Sequence, residues 1–553
     1  MAAHPLRVVL LWHMHQPEYR DPIGGAFLSP WTYLHALKDY SDMAEHVEAH
    51  PGARAVFNFT PVLVAQITEY ARRLKAEPGT PIGDELLDTL RHPVIALDEA
   101  HRRAVARECL RANRRRMVER FEPYRVLADL AAFALEQREA FDYLNDAFLG
   151  DLLVWYHLAW LGESVRRDDA RAVALMAKRR HFTAHDRAAL LDLIADTLNG
   201  LLTRYRGLAA SGQVELITSP LTHPILPLLV DFASAHEALP TLVLPSSGAY
   251  PGGAERARWH LRQARGSHAG HFGTEPLGCW PSESALCAAS VDLIGEAGFS
   301  WAASSQGVLA RSLDPSQHRS EHVHRPYRLN RRGPAIFFRD DVLSDLIGFT
   351  YKDWNPADAV ADLQQRLRTI AAEPDAGPGR VVLIALDGEN AWEHYPENAF
   401  AFLDGLYRTL SSETWLKLTT PAECLREAEV EVRDLDRLVA GSWVYADLAT
   451  WIGHPDKNRA WDMLVDAKRT YDGCAGGSPE AEQQLAVCEG SDWFWWPGDY
   501  NPDVHVAEFE RLFRVQLAAL YRLLDRDPPE YLAHIFSHGT SVPDEYAVLR
   551  PLR

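Results

Sequence analysis

Two short segments place carboxylates where chemistry needs them. Trp280-Pro281-Ser282-Glu283-Ser284-Ala285 and Leu386-Asp387-Gly388-Glu389-Asn390-Ala391-Trp392-Glu393 each set an acid beside tryptophan and small residues. The second follows Val381-Val382-Leu383-Ile384-Ala385-Leu386, an apolar run that reads as a buried parallel strand. A carboxylate at the carboxyl end of such a strand stands where α/β barrels build their active sites. Two carboxyl groups flanking one bond, with aromatic faces nearby, are what glycosidic bond cleavage requires. Each also has a structural alternative: Glu283 as an acid facing a helix dipole, Asp387 as a helix N-cap. Gly388 allows close backbone approach by a ligand, and Glu389 adds a further acid.

His13 and His15 alternate at the end of a first strand, so both point the same way. One reading makes them hydrogen-bonding partners of sugar hydroxyls. The other is a zinc site of a metal-dependent hydrolase or deacetylase, with His223, Asp340 and Asp387 as further ligands. Glu215 lies within strand-like Gln213 to Thr218, where an inward acid is paired or functional, and His223 follows a short loop. Arg339 with Asp340 or Asp345 reads as an ion pair at a cleft rim or as a substrate contact. Trp280, Trp392, Trp493, Trp495 and Trp496 lie in polar loops, where flat rings pack on sugar faces, although some rings of 493–496 must bury an interface.

The elements that position these groups alternate. Strand character appears at 7–12, 53–59, 213–218, 299–303, 336–339, 381–386 and 415–418, separated by helical or loop material. About seven such strands predict an α/β fold, an incomplete (β/α)7-type barrel rather than an open sheet. From about 62 to 210 leucine and alanine recur at helical spacing, which predicts a long helical insertion between two barrel strands. Its basic run, Arg111 to Arg120, reads as a solvated helix face. Beyond 422 the chain turns helical again. The expected division is therefore a catalytic barrel over 1–421 and a C-terminal helical domain over 422–553 that lends aromatic loops to the cleft.

A net charge of −19 argues against a nucleic-acid partner and suits a neutral substrate. No apolar run approaches the roughly 18 residues of a membrane span, and the leading Val8 to Trp12 run is too short for a signal segment. Six scattered cysteines without a CxxC pair suit a reducing compartment, so a cytoplasmic location is expected. The two-carboxylate reading needs neither cofactor nor catalytic metal; a structural calcium stays open, and oligomeric state has no signal in the sequence.

Taken together the motifs resemble glycoside hydrolase family 57. His13-Met14-His15-Gln16-Pro17 is similar to its first region, Gly212-Gln213-Val214-Glu215 to its second, Trp280-Pro281-Ser282-Glu283 to its third, Asp387-Gly388-Glu389 to its fourth, and Trp493-Phe494-Trp495-Trp496 to its aromatic fifth. The resemblance implies an incomplete (β/α)7 barrel followed by a helical domain, and a retaining mechanism on α-glucans or maltooligosaccharides. It makes Glu283 the nucleophile and Asp387 the general acid/base, with His13, His15, Glu215, Trp280 and Glu389 lining the donor subsite. His223, Asp340, Trp392 and Trp495 complete the expected substrate contacts. The WPSESA and LDGENAWEHYP strings are closest to the amylase and amylopullulanase branch. A 4-α-glucanotransferase would use the same residues, and a non-catalytic carbohydrate-binding protein is the remaining class. Chemically, Asp387 must hold its proton while Glu283 stays ionised.

Overall fold

The computed structural model describes residues 4–77, 79–92, 97–314, 322–373, 378–474 and 477–540. Among them are ten strands: β1 (Leu6–Met14), β2 (Ala55–Phe59), β3 (Val214–Ile217), β4 (Gly278–Cys279), β5 (Trp301–Ser305), β6 (Tyr327–Leu329), β7 (Ala335–Arg339), β8 (Val381–Asp387), β9 (Leu416–Leu418) and β10 (Arg433–Leu435). All seven expected strands are present. The additions are β4, β6 and β10, which at two or three residues leave too little pattern to read.

The protein is a mixed α/β structure with a mainly parallel sheet. β1 pairs in parallel with β2, β8 and β9, β2 with β3, β4 with β5, and β7 with β5 and β8. A parallel bridge from Thr218 to Cys279 joins the end of β3 to β4. The pairings thus form a circuit, β1–β2–β3–β4–β5–β7–β8 and back to β1. β6 lies outside it, antiparallel to β7 and parallel to β10.

Side-chain alternation assigns the two faces of this circuit. Val9, Leu11, Val56, Ile217, Trp301, Ala303, Ala335, Phe337, Val381, Leu383 and Ala385 form one small core with Trp280. The opposite parity of β1 and β8, Val8, Leu10, Trp12, Val382, Ile384 and Leu386, packs into a large core with the helices of 61–210. Counting two residues onward along the inner face reaches His13 on β1, Asn58 on β2, Arg339 on β7 and Asp387 on β8. Register confirms this level, because His13 pairs with both Asn58 and Asp387. The sheet therefore gathers these side chains above its own apolar interior.

Helices fill the chain between β2 and β3, from Pro61–Leu74 to the 27-residue Ala184–Ala210. The basic run there is not simply a solvated face: Arg111 bonds Glu508, Arg116 bonds the His394 carbonyl and Arg120 bonds Glu163. Helices Pro455–Gly473, Pro479–Cys488 and Asp503–Leu523 share a third core with Ala302, Ile336 and Phe338, on the outer faces of β5 and β7. No helix among the described residues is long and apolar enough to cross a membrane.

Candidate active site

Glu283 follows β4 in a one-turn helix, Ser282–Ser284, with φ 58° and ψ 26°. The next α-helix starts only at Ala288, behind Cys287, so Glu283 caps no helix. Ser284 (φ 54°) shares the left-handed conformation, as do Thr222 and His223 (φ 59° and 62°). Non-glycine residues held there cost about 1–3 kcal/mol each and persist where surrounding contacts fix them. Here the contacts are visible. Trp443 donates its backbone N–H to the Glu283 carbonyl (3.0 Å) and its indole Nε1–H to Glu283 Oε2 (2.9 Å).

Asp387 ends β8 and is followed by a turn; the next short helix begins at Trp392, behind Ala391, so Asp387 is not an N-cap either. Asn390 Nδ2 donates to its Oδ2 at 3.0 Å. Gly388 is required by sheet packing rather than by a ligand: a Cβ would lie 2.1 Å from Met14 Sδ, and its N–H donates to the His13 carbonyl.

Three imidazoles stack beside the acids. His15 lies over His223 with ring centres 4.0 Å apart, and His13 stacks on His223 at 5.0 Å and on Trp280 at 5.6 Å. Asn58 Nδ2 donates to His13 Nδ1 (2.6 Å) and to Ser219 Oγ (3.0 Å). His15 Nδ1 meets Thr60 Oγ1 (3.1 Å) and its Nε2 meets Asp492 Oδ1 (2.9 Å). His223 Nδ1 meets Ser491 Oγ at 2.9 Å and lies 3.9 Å from Glu283 Oε1. Burial drives His13 and His223 well below the usual imidazole range, with neighbouring imidazoles adding to it.

Burial also lifts both carboxyls. Glu283 is pushed up to about 8, first by desolvation and then by the Asp387 charge, against the Trp443 hydrogen bond. Desolvation raises Asp387, opposed by Asn390, by the charge of His15 and by Arg339. Where the two-carboxylate reading expects an ionised Glu283 beside a raised Asp387, burial raises both: Glu283 is buried, lies near a second acid and, among the described residues, accepts from the Trp443 indole N–H.

Several expected contacts lie elsewhere. Glu215 pairs with Val56, one layer below His13, and its oxygens accept from Trp301 Nε1 and the Ala422 N–H, so it ties strand to helix. Asp340 caps the helix Asp341–Asp345 and accepts from His324 Nε2. Arg339 pairs with Asp341 and Asp345, not Asp340, and sits 5.6 Å from the Trp443 ring centre. Trp392 is fully buried, edge-on to Trp12, with Nε1 bonded to the Gly388 carbonyl, so no face is open to a sugar. Glu389 is buried and its high pKa reflects desolvation and the Asp387 charge, with hydrogen bonds from the His15 backbone and Tyr40 opposing; it underlies the site. Trp495 packs on Trp451. Trp493 and Trp496 are core residues against Phe513 and Phe509. Conversely, Asn58, Trp443, Ser491 and Asp492 belong to the site but were not expected. Asn58 has a sequence signal in its inward parity two residues after Val56, while Trp443, Ser491 and Asp492 lie in or beside the C-terminal aromatic loops expected to reach the cleft, though not named there as site residues.

Among the described residues, one group of three side chains could hold a metal: His15, His223 and Asp492, with ligand atoms within 4.8 Å of one another. His13, Asp340 and Asp387, named for the zinc alternative, are outside it. The two rings stack at 25°, so their in-plane lone pairs run side by side rather than converging as a tetrahedral ion requires. The donor set thus does not favour the metal-dependent reading.

The sequence profile of glycosyl hydrolase family 57 matches residues 9–439. The chain belongs to this family. Solved structures similar to it share the fold at low identity. A family 57 branching enzyme from Thermococcus kodakaraensis is 14% identical with a TM-score of 0.56, over 94% of this chain and 90% of that one. The α-amylase AmyC from Thermotoga maritima is 14% identical with a TM-score of 0.51, over 95% and 100%. A 4-α-glucanotransferase from Thermococcus litoralis is 13% identical with a TM-score of 0.51, over 94% and 60%. A search of curated proteins finds no significant match. Family 57 membership makes the chain a glycosidic enzyme and agrees with the parallel β/α architecture.

Proposed function

We propose that this family 57 enzyme cleaves α-glucans with retention, Glu283 as nucleophile and Asp387 as general acid/base. The observation that carries the reading is that two buried carboxyls, Glu283 in the turn after β4 and Asp387 at the end of β8, share one site, near enough for the charge of Asp387 to raise Glu283. Like charges so placed hold one proton between them, and the productive arrangement puts it on Asp387. Glu283 then attacks the anomeric carbon while Asp387 protonates the departing oxygen. In the second step Asp387 takes a proton from water, which attacks the glycosyl–Glu283 ester and frees Glu283.

Six buried polar atoms at or beside the site have no hydrogen-bond partner among the described residues: Asn58 Oδ1, His223 Nε2, Trp280 Nε1, Ser282 Oγ, Ser284 Oγ and Glu389 Oε2. Buried polar groups are nearly always satisfied, and sugar hydroxyls, which both donate and accept, suit those lining the cleft. The strand circuit supports an incomplete (β/α)7 barrel, with the region beyond 422 as a helical domain that shares its core. The six cysteines carry no disulfide among the described residues, which supports a reducing, cytoplasmic setting. The amylase-type motifs favour hydrolysis of α-1,4 linkages. The burial of both acids favours one second reading, transfer to an acceptor sugar instead of water. Incubation with maltoheptaose, with and without EDTA and with products resolved by size, tests the proposal. Shorter products that persist in EDTA are expected. Longer products move the reading to a glucanotransferase; activity lost to chelator or absent overturns it.

A further inference from the structure

The cleft is closed by residues beyond the matched region 9–439. Ser491 and Asp492 begin the short helix Asp492–Trp495 and reach two imidazoles that come from distant parts of the chain. Asp492 addresses His15 Nε2 with both oxygens (2.9 and 3.2 Å), while Ser491 Oγ meets His223 Nδ1 and the Ser491 N–H donates to the His223 carbonyl, each at 2.9 Å. The segment is itself anchored. Glu489 is fully buried and accepts from Arg256 Nε (2.8 Å), His260 Nε2 (2.7 Å) and the Tyr250 hydroxyl. His260 also bonds the Leu221 carbonyl, and Thr222 Oγ1 bonds the Ala486 carbonyl (2.5 Å). One buried charge therefore pins both segments that present the imidazole stack.

Within that stack His15 alone has oxygen partners on both ring nitrogens, Thr60 Oγ1 and Asp492, the arrangement that suits an imidazolium. His13 instead accepts from Asn58 at Nδ1. The groups around His15 are the rings of His13 and His223, the Asp492 carboxylate, Asp387, Glu389 beneath its backbone, and the Tyr40 hydroxyl on its carbonyl.

We infer that Asp492 is a positioning residue that keeps His15 doubly protonated and facing Asp387, so that a fixed positive charge meets the carboxylate formed when Asp387 gives its proton to the leaving oxygen. The inference rests on the proposed role of Asp387. It assigns catalytic weight to a residue outside the matched family region.

The test compares Asp492→Asn, which keeps the shape and removes the charge, with Asp492→Glu, on maltoheptaose. Loss of one charge-assisted hydrogen bond lowers kcat by about 10–100-fold, with KM within about threefold and an unchanged melting temperature, and Glu restores part of the rate. Full activity in Asp492→Asn, or a change confined to KM, overturns the inference. A second readout is independent of activity: ¹⁵N-histidine spectra at pH 7. Both His15 nitrogens carry protons in the native protein and one is lost in Asp492→Asn. A singly protonated His15 in the native protein, or identical spectra, overturns it. A native enzyme inactive on every α-glucan defeats the proposed function instead, and the spectra then decide this inference alone.

Discussion

Replacing Glu283 by Gln separates the stability of this site from its function. The Glu283 carboxyl titrates near 8 in the folded protein against an ordinary 4.5, chiefly through burial. A carboxyl with a raised folded pKa binds its proton more tightly when folded. It therefore opposes folding progressively as pH rises from about 4.5 to about 8, and fully above that. At about 1.4 kcal/mol per pH unit the whole difference is about 4–5 kcal/mol. The side chain is 15% exposed and shares its proton with Asp387, so about 2–4 kcal/mol is the working expectation. Gln keeps the volume and can still accept from Trp443 Nε1, and it carries no charge at any pH. Glu283→Gln is thus expected to match the native protein in stability near pH 4.5 and to exceed it by about 2–4 kcal/mol at pH 8.5. For a chain this long that is roughly 2–4 °C in Tm. Activity on maltoheptaose should fall at least about 10³-fold, as expected for loss of a nucleophile. Urea midpoints for both proteins from pH 4.5 to 9 give the stability difference. A difference that does not grow with pH would refute the electrostatic reasoning, and near-native turnover would refute the role.

Three further outcomes follow from the same geometry. Trp443→Phe keeps a ring but removes the 2.9 Å donor to Glu283 Oε2. A hydrogen bond to a charged group is worth about 1.5–3 kcal/mol, so the acidic limb of the kcat/KM profile should move up by about 1–2 pH units, and an unmoved limb contradicts this. Gly388→Ala drives a Cβ into Met14; it should cost about 1–3 kcal/mol in chemical denaturation, much of it recovered by adding Met14→Ala, and additive effects would show that the clash is not the cause. Glu489→Gln leaves Arg256 and His260 buried without their carboxylate and should cost about 3–5 kcal/mol at pH 7. Glu489 is held down to about 2, below its ordinary 4.5, so its contribution is complete above pH 4.5 and fades as pH falls toward 2. A penalty equally large at pH 3 would argue against this.

The long apolar strands were readable from sequence because each carries its own pattern. Val381 to Leu386 announced β8, and with it the position of Asp387; Val8 to Trp12 did the same for His13 and His15. β4, at two residues, owes its place to the Thr218–Cys279 bridge and to β5, and no local pattern marks it. That C-terminal aromatic loops reach the cleft is legible, but that Trp443 and Asp492 are the side chains that enter is not, because tertiary contacts alone select them. Glu215 and Trp392 were misread for the opposite reason. Their residue types suit sugar binding, yet one ties Trp301 to the Ala422 backbone and the other packs edge-on against Trp12. The left-handed backbone at Glu283 was equally hidden, since no glycine marks it.

The central claim is that Glu283 forms a covalent bond to the sugar while Asp387 manages the proton. Asp387→Asn removes the acid/base yet leaves the nucleophile free to react with a maltooligosyl fluoride, whose leaving group needs no protonation. Intact-mass and peptide mass spectrometry after brief exposure read the outcome. A glycosyl adduct on the peptide containing Glu283, absent when Glu283→Gln is added, is the expected result. An adduct on any other residue, or none while the fluoride is consumed, would contradict the account.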